Sequence, residues 1–154
     1  METVVVGAAI VRAGRLFVAR RCRPQPVAGY WELPGVEVPE GGSEASALAE
    51  LFTVEFAIDL RCVDRILSDR ALVSWPTSTG DPAVLRVLRC QLPSQSTLDL
   101  DAGDPRPNLT AYDETDWVDL AQLDAVSPWR EADRITAFEV ADTYWSDEWW
   151  QYAD

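Results

Sequence analysis

The segment from Trp31 to Ile58 constrains this chain more than any other part of it. Trp31 to Val38 is short and extended, and Pro34-Gly35 forces a bend within it. Pro39 to Gly42 reads as a loop. Ser43 then stands as a helix cap ahead of Glu44, an acid placed where first-turn N–H groups favour negative charge. The run that follows predicts a helix from Glu44 to about Phe56, apolar almost all round from Ala45 to Ile58. Such a helix is buried on all sides or meets a partner. Thr3 to Val11 is β-branched and apolar, and reads as a buried strand. Arg12-Ala13-Gly14 is a turn, and the alternation from Arg15 to Cys22 closes a hairpin. Arg23 to Tyr30 reads as a loop. Leu60 to Leu67, Ala71 to Trp75, Ala83 to Leu92 and Tyr112 to Val118 are further strands, with a polar loop from Pro93 to Thr110. Leu120 to Leu123 looks like one helical turn. Arg130 to Thr143 has helical spacing, with Ile135, Phe138 and Ala141 on one side. Strands flanking a central helix, with a second helix at the end, predict an α/β sandwich around a mixed sheet.

Composition narrows the chemistry. One domain is the expectation for 154 residues, spanning 1–144 with an aromatic, acidic tail over 145–154 packed on it. All 13 basic residues are Arg, and His is absent. That excludes Ser-His-Asp and Cys-His nucleophile systems and removes the commonest metal ligand. The net charge of −13 is unevenly placed. Residues 1–98 carry 11 acids and 10 Arg, whereas residues 99–154 carry 15 acids and 3 Arg. No basic footprint of the size a nucleic-acid polymer needs is present. Cys22, Cys62 and Cys90 form no C-x-x-C, which argues against zinc, and scattered thiols suit a reducing cytoplasm. The apolar run Val4 to Val11 is too short to span a bilayer, and no signal peptide or membrane association is expected.

Trp31-Glu32-Leu33-Pro34-Gly35 resembles the entry to the Nudix box. The opening pair Gly7-Ala8-Ala9-Ile10-Val11 and Leu16-Phe17-Val18-Ala19-Arg20-Arg21 is similar to the start of MutT-type Nudix hydrolases. So are the closing run Trp117-Val118-Asp119-Leu120 to Leu123 and the segment Glu131-Ala132-Asp133-Arg134. The resemblance implies a Nudix α/β/α sandwich, with a mixed central sheet, a Nudix-type helix and a C-terminal helix. It also implies nucleoside triphosphates as the substrate class and Mg²⁺ or Mn²⁺ as cofactor. In that family, box glutamates three and four residues apart on one helix face hold the metal, which neutralises pyrophosphate and activates water.

Set against the box G-x5-E-x7-R-E-U-x-E-E-x-G-U, where U is bulky and apolar, this chain departs at most charged positions. Val36 and Gly42 stand for the first Gly and the spaced Glu. Glu50 stands for the Arg, Leu51 and Val54 for two glutamates, and Ala57 for the second Gly. Phe52, Glu55 and Ile58 match. Of the expected ligands at 51, 54 and 55, one remains.

The resemblance therefore implies metal candidates Glu55, the Gly35 carbonyl and Asp116, and catalytic candidates Glu55, Asp116 and Glu50. It implies ligand contacts at Arg21, Leu33, Gly35 and Asp133. Arg21 is equally a strand-end charge, and Asp133, which could accept from a cytosine amino group, is equally a helix N-cap. One carboxylate and one carbonyl make a poor cage for a hard cation that wants about six oxygens. The expected function is binding of a nucleotide or related phosphorylated small molecule, with pyrophosphohydrolysis reduced or lost and the metal then dispensable. Two alternatives stand beside it. One is an active hydrolase with an unusual metal site. The other is a repurposed fold, a biosynthetic enzyme or protein-interaction module, with a non-nucleotide ligand in an apolar groove. Trp145, Trp149 and Trp150 either cover that groove, in one chain or across a homodimer, or finish the core of the last helix.

Overall fold

The computed structural model describes residues 3–65, 70–72, 75, 77, 80–92 and 110–146. In chain order the elements are β1 (Thr3–Ala9), β2 (Val11–Arg12), β3 (Arg15–Arg21), β4 (Trp31–Glu32), β5 (Gly35–Glu37), α1 (Glu44–Phe56), β6 (Arg61–Arg65), β7 (Arg70–Leu72), β8 (Ala83–Gln91), β9 (Tyr112–Asp119) and α2 (Glu131–Ser146). β1 lies inside the first sheet, parallel to β8 and antiparallel to β5, with β6 and β7 on the far side of β8. The second sheet joins β2, β3 and β4, and β9 pairs with β3. The sheets and the two helices form the expected α/β/α sandwich.

Strand alternation makes two cores. Val5 and Ala9 of β1 face α2, with Leu16, Val18, Leu33 and Leu85. Val6, Ala8 and Ile10 face α1, with Phe17, Phe52, Phe56 and Tyr112. The Pro34-Gly35 bend carries the chain between sheets: β4 pairs with β3, and β5 pairs with β1. A Cβ on Gly35 would stand 2.9 Å from the Val6 carbonyl oxygen, so only glycine fits that crossing.

α1 starts where the sequence places it, the Ser46 N–H donating to Ser43 Oγ at 3.0 Å. Its buried residues are Leu48, Leu51, Phe52, Glu55 and Phe56, a one-sided stripe at helical spacing. The expectation of an all-round apolar helix is corrected here, because Val54 is 53% exposed and faces water. α2 corrects a second one. Its buried residues are Ala132, Asp133, Thr136, Ala137, Val140 and Ala141, while Phe138 is exposed. The helix is turned from the Ile135–Phe138 face because Asp133 and Thr136 find partners inside: Asp133 in the network below, Thr136 on the Ala132 carbonyl. The expected turn at Leu120 to Leu123 lies further on, as a 3₁₀ turn at Leu123–Ala125. Strand expectations at 66–67 and 73–74, the loop at 93–109, and the proposed cover by Trp149 and Trp150 lie outside the described residues. Among the described residues no helix is long and apolar enough to cross a membrane.

α1 ends on Ala57 in the left-handed region, φ 56°, with its N–H on the Thr53 carbonyl at 3.2 Å. A Cβ is strained there. Ala57→Gly should raise stability by about 1 kcal/mol, and the melting temperature by roughly 3 °C, by differential scanning calorimetry.

Candidate functional site

The site grows from Glu32. β4 places it opposite Ala19, and its side chain is 1% exposed. A carboxylate so deep must be held by donors. Oε1 accepts from Arg21 Nε at 2.9 Å, from Arg21 Nη2 at 2.6 Å and from the Tyr112 hydroxyl at 2.7 Å. Oε2 is paired with Arg130 Nη2. Arg130 Nε donates to Asp133 Oδ2 at 2.7 Å, and Asp133 Oδ1 accepts from the Leu33 N–H at 3.0 Å. Two guanidiniums and two carboxylates thus cancel in charge while tying β3, β4 and the start of α2 together. The register shift between Arg20 and Arg21, where β3 meets β9, seats Arg21 opposite Tyr112. Its guanidinium lies 4.5 Å from the Tyr112 ring centroid.

Gly35 is held from both ends. Its N–H donates to the Tyr112 hydroxyl at 2.9 Å, and its carbonyl accepts from Arg21 Nη2 at 2.7 Å. Burial pushes the Tyr112 hydroxyl up to about 12, against the opposing pull of the Arg21 charge. Glu55 is buried on α1 and accepts from Thr110 Oγ1.

The expected ligand residues therefore converge: Arg21 touches Gly35, Leu33 touches Asp133, and Glu32 and Arg130 bridge the pairs. Leu33 and Asp133 are both fully buried. The expected catalytic set does not converge. Glu50 is exposed on α1. Asp116 pairs in register with Val18, whose side chain belongs to the α2-side core, so it shares that face, away from Glu55. It lines a separate cavity of about 300 Å³ with Trp31, Val118 and Val126. Among the described residues no group of three or more His, Cys, Asp or Glu could hold a metal ion. The donor set does not fit a hard divalent ion: Gly35 offers its oxygen to a guanidinium, Leu51 is in the core, and Val54 carries no oxygen.

Glu32, Tyr112, Arg130 and Thr110 are not singled out by the sequence. Glu32 carried a signal, as the one charge within the quoted Trp31–Gly35 motif. Arg130 carried another, as one of three cations in the acidic C-terminal third.

Comparison with known proteins decides the family. Over 146 residues the chain is 35% identical to a Mycobacterium tuberculosis protein named "Putative 8-oxo-dGTP diphosphatase 2", covering 93% of this chain and 91% of the relative. The chain belongs to the MutT-like Nudix family. A MutT Nudix hydrolase from Burkholderia pseudomallei superposes with a TM-score of 0.69 at 27% identity, over 91% of this chain and 98% of that one. A MutT protein from Methanosarcina mazei Go1 gives 0.68 at 21% identity, over 92% and 93%. No family model matches the chain. Nudix hydrolases generally use Mg²⁺ or Mn²⁺.

Tyr112 supplies a pH test. Its pKa rises from near 10 in the unfolded chain to about 12 in the fold, so its contribution is intact below pH 10 and is lost as pH climbs through 12. The loss should approach about 3 kcal/mol in urea unfolding, and Tyr112→Phe should flatten that alkaline limb.

Proposed function

We propose that this Nudix protein binds a nucleotide or related phosphorylated small molecule, and that its metal-dependent pyrophosphohydrolysis is reduced or lost. One observation carries the reading. The Gly35 carbonyl, a metal ligand by resemblance, accepts from Arg21 Nη2 instead. A divalent ion there would have to displace a buried cation that Glu32 also holds, and would meet one helix carboxylate rather than three. Like charges in one buried site oppose each other strongly. The nucleotide half of the reading is supported by the M. tuberculosis relative, whose name specifies a purine nucleoside triphosphate. In this reading the buried cluster of Arg21, Leu33, Gly35 and Asp133 is the rigid floor behind the ligand cleft, and core packing at Leu51 stands where the family's box has an acid.

The test is a panel of nucleoside triphosphates measured by calorimetric binding and by release of phosphate and diphosphate, with Mg²⁺, with Mn²⁺ and with chelator. Binding should persist in chelator. Any residual release should be unchanged in Glu55→Gln. Metal-dependent release that falls roughly 10-fold or more in Glu55→Gln would instead establish a working metal site.

A further inference from the structure

The first sheet brings together two cysteines that the sequence keeps far apart. Cys62 of β6 stands directly opposite Cys90 of β8 in their antiparallel ladder. Directly opposite residues in such a ladder hold their α-carbons roughly 4.5–5.5 Å apart. A disulfide spans α-carbons about 4.4–6.8 Å apart, so the backbone register already meets its first requirement. The second requirement is tighter. The β-carbons must close to about 3.5–4.5 Å, where opposite residues ordinarily hold them at about 4.5–5.5 Å. β6 has the freedom to make that small approach. It ends the order β5-β1-β8-β6, so among the described residues no strand pairs with its outer side. The register also shifts between Cys62 and Asp64, which interrupts the ladder beside the pair and lets the strand bend. Cys90 gives up little on joining such a bond. It is 3% exposed, and its thiol, a weak donor, reaches the Leu88 carbonyl at 3.5 Å. The remaining cysteine, Cys22, lies just past β3, at the end of the other sheet.

We propose that Cys62 and Cys90 are a redox-modification site, a reversible cross-strand disulfide made when hydrogen peroxide reaches the folded protein. One thiolate attacks a peroxide oxygen and the O–O bond breaks. The departing hydroxide takes up the proton that the thiol released and leaves as water, and a sulfenic acid remains. The second thiol attacks that sulfur. The S–S bond forms, the S–O bond breaks, and the second thiol's proton leaves with the hydroxide as another water. Each sulfur has then lost one electron, and the peroxide has gained two. A thiol reductant reverses the step by exchange through a mixed disulfide. The bond closes a ring of roughly 30 residues that contains β7, and latches the edge strand β6 to its neighbour β8. A cross-link of that span restricts the unfolded chain most, so the oxidised fold is the more stable one.

The test treats the full, folded chain with hydrogen peroxide, then denatures it, alkylates the remaining thiols and reads the products by mass spectrometry. Before treatment all three cysteines should be alkylated. After it Cys22 alone should be, and digestion should yield two peptides joined through Cys62 and Cys90 and released by dithiothreitol. Cys22→Ser should keep the link. Cys62→Ser should abolish it and leaves the buried Cys90 in place, so the core is not opened. In scanning calorimetry the oxidised wild type should melt roughly 5 °C or more above the reduced form, a rise absent from Cys62→Ser. Three alkylated cysteines after treatment, a link through Cys22, or Cys90 carried on to the sulfinic acid in place of the link would each overturn the proposal. A Cys62–Cys90 link that lowers the melting temperature would overturn it too, because the ladder would then have to be distorted to make the bond.

Discussion

The Glu32 carboxylate is the interaction on which the rest of this site depends. Arg21 and Arg130 arrive from different parts of the sandwich, and neither could be buried without a shared anion. Placing two guanidiniums in a low-dielectric interior is costly, and the cost is offset only when charge and hydrogen bonds are nearly complete. Glu32 meets that condition with donors on both oxygens, and Asp133 completes it for Arg130. The bend at Pro34-Gly35 follows, because Tyr112 and Arg21 clamp Gly35 in the act of holding Glu32. A single buried anion thereby fixes the junction where the chain crosses from one sheet to the other.

Under the proposed reading, the same interaction lets a Nudix fold persist with fewer carboxylates on its helix. In the working family, helix carboxylates and a backbone carbonyl surround a divalent cation. Here a guanidinium supplies the positive charge beside the carbonyl, and the helix is free to pack. Leu51 joins Phe17 and Phe52 in the core, and Glu55 is partnered by Thr110. The chain's negative charge lies instead in its C-terminal third, on exposed positions such as Asp113, Glu114 and Asp119. Charge at the site is balanced within the protein, and elsewhere by solvent.

Most of the fold was legible in the sequence because local and tertiary signals agree. Ser43 caps α1, Pro34-Gly35 bends the strand, and apolar runs mark β1 and β8. The misreadings have a common cause. Pattern reading puts apolar residues inside, yet α2 buries Asp133 and Thr136 and exposes Phe138 because long-range partners make polar burial favourable. The resemblance sets Asp116 beside Glu55 because an acid just before the closing-strand Trp approaches the metals in MutT-type enzymes, and strand alternation places Asp116 on the face of Val18. The site's true anchor, Glu32, stood inside the quoted motif. Its role depends on Arg21, 11 residues away, and on Arg130 and Tyr112, which lie far along the chain, a pairing that no local pattern encodes.

The claim that a guanidinium network has taken over the carbonyl that metal would use is tested most directly by Mn²⁺ titration of the full chain, followed by electron paramagnetic resonance. The account predicts no stoichiometric Mn²⁺ binding in the roughly micromolar range, and no change in the spectrum between the wild type and Glu55→Gln. One Mn²⁺ per chain held at roughly micromolar affinity, and released by Glu55→Gln, would contradict it.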